Sequence, residues 1–131
     1  NLYDKIRKVM TTELFVVFEG DPTELVLSIM NWKKINHIPV VNKSNKLVGM
    51  ITKKNVKSSF DLLGNGELIS AKEIMKKINV KIDPEMTIEQ GQGIMKSLKV
   101  DYLPVIEDEE LIGIFTNSDL KRVTEKMRLY D

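Results

Sequence analysis

The chain repeats itself, and that repeat is what most restricts the folds open to it. Displaced by 65 residues, Met10–Val41 lies on Met75–Ile106 without a gap. Identical pairs include Met10/Met75, Glu24/Glu89, Ile29/Ile94, Met30/Met95, Lys34/Lys99, Pro39/Pro104 and Val40/Val105. Conservative pairs include Val17/Ile82, Ile35/Val100, Ile38/Leu103 and Val41/Ile106. One deletion in the second copy reduces the displacement to 64, and Leu47, Gly49, Thr52 and Lys57 then fall on Leu111, Gly113, Thr116 and Lys121. Coincidence between two amphipathic stretches would not keep Pro, Gly and Thr at the same spacing in both halves. Such self-similarity marks one structural unit used twice. Each copy has about 60 residues, small for an independent core, so the halves are expected to bury apolar faces on each other. The seam is Leu62–Ser70, where Gly64-Asn65-Gly66 signals a turn. The expected division is residues 1–62 with an N-terminal helix, a linker at 63–70, and residues 71–131.

Hydrophobic periodicity places the elements. Residues 2–9 read as a short helix with Leu2, Ile6 and Val9 on one face. Phe15-Val16-Val17-Phe18 reads as a strand. Asp21 and Pro22 suit the N-cap and first position of a helix, in which Leu25, Ile29 and Trp32 recur at i, i+4 and i+7 and Val26 and Met30 widen the stripe. His37–Val41 and Leu47–Ile51 are strands joined by the polar turn Asn42–Lys46, a hairpin. Thr52–Leu63 reads as a helix. In the second copy Ile74 ends a helical turn, Val80-Lys81-Ile82 is a strand and Thr87–Leu98 a helix. Leu103–Ile106 and Leu111–Phe115 are strands, and Thr116–Arg128 is a helix. The pattern βαββα, twice, predicts an α/β (α+β) fold with a mixed sheet in each half. Gly91 and Gly93 each cost about 1 kcal/mol inside a helix; close packing or a pocket wall would account for them. Met10, Met30, Met75 and Met95, at equivalent positions, read as core.

Composition removes several function classes. Lys+Arg of 20 against Asp+Glu of 19 gives a net charge of +1, without the basic excess of a nucleic-acid binder. No cysteine is present, so disulfides, Cys-based zinc sites and a Cys nucleophile are out. No apolar run approaches the roughly 18–20 residues needed to span a bilayer, and no signal peptide is visible; a cytoplasmic protein without membrane insertion is expected. The chain starts at Asn1 rather than Met, which reads as a piece of a larger protein or one lacking its first residues. His37 is the single histidine. It cannot build a metal site alone and has no obvious nucleophile partner. Asp108, Glu109 and Glu110 read as a solvated turn rather than a metal site. With no phosphate-binding Gly loop either, an enzyme is not expected, and no cofactor is required.

The order of motifs in each copy is Met, a short strand, an amphipathic helix, an apolar-Pro-Val strand, a turn, and Gly-x-x-Thr at a helix start. It resembles the CBS domain, and the tandem resembles the Bateman module. The likeness covers roughly Ile6–Phe60 and Ala71–Met127. Its most specific stretch is Leu111-Ile112-Gly113-Ile114-Phe115-Thr116-Asn117-Ser118-Asp119, similar to the family's Gly-h-h-[Ser/Thr]-x-x-Asp element. The resemblance implies two βαββα repeats packed with pseudo-two-fold symmetry and clefts between them. It also implies an adenosine nucleotide (AMP, ADP or ATP) or S-adenosylmethionine as regulatory ligand, often a homodimer, and an attached or separate enzyme, transporter or regulator as partner.

Thr116 and Asp119 stand one helical turn apart, so their side chains can point the same way. A carboxylate accepts the two hydroxyls of a ribose, and the hydroxyl and free N–H groups of a helix start can meet phosphate. The same residues also suit an N-cap and a first-turn acid. By resemblance, adenine lies between Val80-Lys81-Ile82 and Tyr102-Leu103-Pro104, where Pro104 fixes the chain; Tyr102 either stacks on the base or belongs to the core. The first copy offers Ile38, Pro39, Thr52 and Asn55. Asn55 stands where the family has Asp, which leaves that site empty, weaker or of different preference. Lys53, Lys54 and Lys57, like Lys121 and Arg122, either face phosphates or form a solvated basic face. The expected function is ligand sensing by population shift between two arrangements; the alternative is a dimerisation or scaffolding module with little ligand affinity.

Overall fold

The structure is a computed structural model describing residues 1–63 and 69–130; the Gly64-Asn65-Gly66 turn lies outside the described residues. After a 3-10 turn at Ile6–Lys8, the elements are β1 (Val17–Phe18), α1 (Thr23–Lys33), β2 (His37–Val41), β3 (Leu47–Thr52), α2 (Lys53–Leu63), α3 (Ala71–Ile74), β4 (Lys76–Lys77), α4 (Ile88–Leu98), β5 (Tyr102–Glu107), β6 (Glu110–Thr116) and α5 (Asn117–Tyr130). This is the expected mixed α+β fold of two βαββα-like repeats. The hairpins β2–β3 and β5–β6 are antiparallel, with Pro39 opposite Met50 and Pro104 opposite Ile114.

The chain forms two compact units. One is Phe15–Asn79; the other joins Asn1–Leu14 to Val80–Asp131. The N-terminal stretch packs in the unit that holds Val80–Asp131. The reason is burial and backbone pairing. Ile6 is fully buried in a core with Ile82, Ile88, Met95, Leu103, Val105 and Phe115. The Ile6 N–H donates to Met86 O at 2.8 Å, and Thr11 and Ile114 exchange two hydrogen bonds of 2.9 Å. In the other unit the segment after the seam does the same. Ala71 is buried with Val17, Val26, Met30, Ile38, Val40, Ile51 and Val56, and its N–H donates to Asp21 O at 2.7 Å.

Each unit thereby repeats one sheet pattern. In Phe15–Asn79 the strand order is β1-β2-β3-β4, with Val17 parallel to Val40 and Met50 antiparallel to Lys76. In the other unit the edge strands shrink to single bridges, Ile82 parallel to Val105 and Thr11 antiparallel to Ile114. The expected strand Val80–Ile82 is thus one bridge long. Asp83-Pro84 follows, and the residue before a proline and the proline itself both end regular pairing; Asp83 instead accepts from Met86 N and Glu85 N.

Other expectations shift in detail. Asp21 does not cap α1: its Oδ2 accepts from Phe18 N at 2.8 Å, closing the preceding turn, and Pro22 takes the cap position. The inward face of α1 is Thr23, Val26 and Met30, while Leu25 is 42% and Trp32 73% exposed. Thr52 and Thr116 end strands rather than start helices. Met30 and Met95 are core, whereas Met10 and Met75 are half-buried. The acidic Asp108 and Glu109 both have positive φ, 51° and 67°, and join β5 to β6 as the two central residues of a tight turn.

Candidate ligand site

The second Gly-x-x-Thr element makes a strand-to-helix corner. Thr116 closes β6 opposite Tyr102, and Asn117 N donates to Asp101 O at 2.9 Å, so α5 begins without a loop. The first N–H groups of a helix have no partner within it. Here Thr116 and Asp119 satisfy each other: Asp119 N donates to Thr116 Oγ1 at 3.3 Å, and Thr116 N donates to Asp119 Oδ2 at 2.9 Å. This is the reciprocal pattern of a capping box. The Thr116 hydroxyl donates to the same Oδ2 at 3.1 Å. Asp119 Oδ1 accepts from Thr11 Oγ1 at 3.0 Å and from the Arg122 guanidinium. Asp119 is 1% exposed, its charge held by two threonines and one cation, as a buried charge must be held.

The first element builds the same corner without the carboxylate. Thr52 lies opposite His37, Lys53 N donates to Asn36 O at 2.9 Å, and Asn55 N donates to Thr52 Oγ1 at 3.2 Å. Asn55 and Lys53 are half-buried and Lys54 is exposed. By the internal alignment, Lys76 stands where the other unit has Thr11, and Ser58 where it has Arg122.

The two segments expected to flank adenine are joined by backbone hydrogen bonds. Ile82 N donates to Pro104 O at 3.0 Å and Ile106 N to Ile82 O at 2.8 Å, so 80–82 and 102–104 are hydrogen-bonded neighbours. Ile82 and Leu103 are core, as is Ile38 in the other unit; Pro39 and Pro104 are buried, Val80 half-buried and Lys81 exposed. Tyr102 is buried, and burial, with the Asp101 charge beside it, pushes its phenol above the ordinary tyrosine range. Thr116, Asp119 and Tyr102 therefore share one corner, while Thr52, Asn55, Lys53, Lys54, Ile38 and Pro39 belong to the other unit.

Sequence reasoning missed Thr11, Lys8 and Lys126. A cavity of about 550 Å³ opens beside Asp119, with Lys8, Met10, Arg122, Val123, Lys126 and Met127 in its walls. Its volume lies in the range of small-molecule sites, roughly 300–1,000 Å³. One wall comes from the N-terminal stretch, whose place in this unit leaves no periodic trace in the sequence. Among the described residues no helix is long and apolar enough to cross a membrane.

Comparison with known proteins identifies the family and the fold. The family model for the CBS domain matches residues 6–61 and again 71–126. The chain is 30% identical over 122 residues to homoserine O-acetyltransferase of Methanohalobium evestigatum, covering 92% of this chain and 24% of that protein. It is 30% identical over 117 residues to inosine-5'-monophosphate dehydrogenase of Methanocaldococcus jannaschii, covering 88% and 23%. The chain thus spans about a quarter of the length of these curated relatives. Among solved structures, the CBS domain pair of protein MJ0100, in complex with 5'-methylthioadenosine and S-adenosyl-L-methionine, superposes with a TM-score of 0.86 at 19% identity over 95% of this chain and 98% of that one. CBSX2 in complex with AMP superposes with a TM-score of 0.77 at 20% identity over 95% and 98%.

Proposed function

We propose that this chain, which belongs to the CBS domain family, is a regulatory module that senses an adenosyl ligand, AMP, ADP, ATP or S-adenosylmethionine, and performs no chemistry itself. The observation that carries the reading is the buried Asp119 carboxylate at the start of α5, with Thr116 beside it. A ribose offers two hydroxyl donors, and Asp119 holds its acceptor oxygens on groups that also donate hydrogen bonds. A ligand hydroxyl can take the place of the Thr11 hydroxyl on Oδ1 while Arg122 still neutralises the carboxylate. That related CBS pairs were solved with 5'-methylthioadenosine, S-adenosylmethionine or AMP supports the ligand class. The first copy, with Asn55 for Asp, is the weaker site on this reading. Ligand binding favours one arrangement of the module and biases a second copy or an attached or separate partner through that difference alone.

The test is thermal unfolding with and without AMP, ATP and S-adenosylmethionine. A ligand at about 100 times its Kd stabilises the native state by about 2.7 kcal/mol, several degrees at this size. A shift with at least one ligand supports the reading. Unmoved unfolding with all three leaves a dimerisation or scaffolding module in its place.

A further inference from the structure

The N-terminal stretch is tied to its unit by short pairings. Ile6 N and Arg7 N donate to Met86 O and Pro84 O at 2.8 and 3.0 Å, and Ile88 N and Glu89 N donate back to Asp4 O and Leu2 O at 2.9 Å. Its regular element is the three-residue turn Ile6–Lys8, and its ladder contacts are two single bridges, Lys5 to Thr87 and Thr11 to Ile114. Ile6 is buried, but Lys5, Arg7, Lys8 and Thr11 are exposed. Arg7 adds ion pairs to Glu85, at 3.1 Å, and to Glu107; both ends of each are accessible, so each is individually weak. The matching segment of the other unit is fixed more firmly. There Ser70 and Glu73 form a capping box at the start of α3, and β4 pairs with β3 over two residues. A segment with one buried anchor and exposed backbone hydrogen bonds opens locally at low cost.

This stretch is also one wall of the cavity beside Asp119. Asn1, Asp4, Lys8, Val9 and Met10 line one side, and α5 from Asp119 to Met127 lines the other. The Thr11 hydroxyl reaches Asp119 Oδ1 at 3.0 Å. Resting on the reading of Asp119 as ribose acceptor, we infer that residues 1–11 are a strap over the ligand: it opens and closes in the free protein and is held shut when an adenosyl ligand fills the cavity. A ligand moves such an equilibrium only through its differential affinity for the two states. The closed strap supplies a whole wall of contact and the open strap supplies none. A ligand hydroxyl on Oδ1 costs the strap one side-chain hydrogen bond, that of Thr11, and the wall from Asn1 to Met10 is gained in exchange. The coupling is reciprocal. Tension on the strap, whose chain passes at Leu14–Phe15 into the other unit, lowers ligand affinity by the factor with which the ligand holds it shut.

The experiment is amide hydrogen exchange, followed by nuclear magnetic resonance, on the whole chain alone and with AMP, ATP or S-adenosylmethionine, with binding of each measured by titration calorimetry. The amides of Ile6, Arg7, Thr11, Ile88 and Glu89 report strap opening. Those of Asn42 and Asn45, hydrogen-bonded within the β2–β3 turn, report local opening away from the cavity. In the free protein the strap amides exchange faster than those of β5. With a ligand at about 100 times its Kd they slow by about tenfold or more, toward the roughly hundredfold limit reached when the open state does not bind, while the turn amides keep their rate. Strap amides as slow as β5 in the free protein overturn the strap and leave the ribose reading standing. So do strap amides that a bound ligand leaves unmoved, speeds, or slows no more than the turn. Absence of binding by all three compounds overturns the ribose reading and the strap with it.

Discussion

The thioether of Met10 fills the space that a side chain on Gly113 would need: a β-carbon built on Gly113 would lie 2.6 Å from Met10 Sδ and 3.1 Å from Thr11 O. Met75 stands in the same relation to Gly49, at 2.6 Å, with Lys76 O at 3.0 Å. The glycine of each Gly-x-x-Thr element is thus a packing requirement set by the segment that completes its sheet. Gly113→Ala and Gly49→Ala are expected to destabilise by about 1–3 kcal/mol each, the range for overpacking a filled site. Urea denaturation measures this, and a midpoint equal to that of the wild type would remove the explanation.

The two glycines of α4 should behave oppositely. A β-carbon on Gly91 would meet Ile6 Cδ1 at 2.8 Å and Phe115 Cε2 at 3.0 Å, whereas one on Gly93 would meet nothing within 4 Å. Ile6 and Phe115 are fully buried and cannot yield cheaply. Gly91→Ala is expected to destabilise by about 1–3 kcal/mol. Gly93→Ala, free of contact and favoured by helix propensity, is expected to stabilise by roughly 1 kcal/mol. Thermal melts of both variants check the opposite signs.

Asp119 and Asn55 occupy equivalent corners with unequal structural roles. Asp119→Ala removes an acceptor used by Thr116 N, Thr116 Oγ1, Thr11 Oγ1 and Arg122. The loss is expected at about 0.5–2 kcal/mol, that of removing a helix-capping partner. Asn55→Ala leaves the Asn55 N to Thr52 Oγ1 bond in place and is expected to destabilise less. Equal losses in chemical denaturation would show that the buried charge has no special structural role.

The alkaline limb of stability should report Tyr102. Burial, then the Asp101 charge, raises its phenol above the ordinary value of 10.0. The folded state therefore holds this proton more tightly than the unfolded chain. The associated stability is complete below the ordinary tyrosine range and is lost as pH rises through it toward the raised value. Tyr102→Phe is expected to lose less stability than the wild type over that interval, as denaturation at a series of alkaline pH values would show. Parallel curves would place the alkaline loss elsewhere.

What the sequence made legible follows from where local chemistry decides the structure. The hairpins announce themselves by apolar runs around polar turns, and β2 matches its expected bounds, His37–Val41. Thr87 caps α4 through Gln90, a local pattern. The partner of the N-terminal stretch was not legible, because the burial of Ile6 against Phe115 joins residues far apart in sequence. Trp32 misled for a related reason: it shares a period with Leu25, but Val26 and Met30 define the inward face. At the site, Thr116 and Asp119 were legible as neighbours one turn apart. Thr11, Lys8 and the cavity were not, since they depend on that same long-range placement.

The central claim is that Asp119 holds the sugar of an adenosyl ligand, and calorimetric titration of the wild type, Asp119→Asn and Asn55→Ala with AMP, ATP and S-adenosylmethionine tests it most directly. The account predicts binding by the wild type, a loss of about tenfold or more in Asp119→Asn, equal to about 1.4 kcal/mol, and near-wild-type affinity in Asn55→Ala. Undiminished affinity in Asp119→Asn, or no binding of any of the three by the wild type, would contradict it.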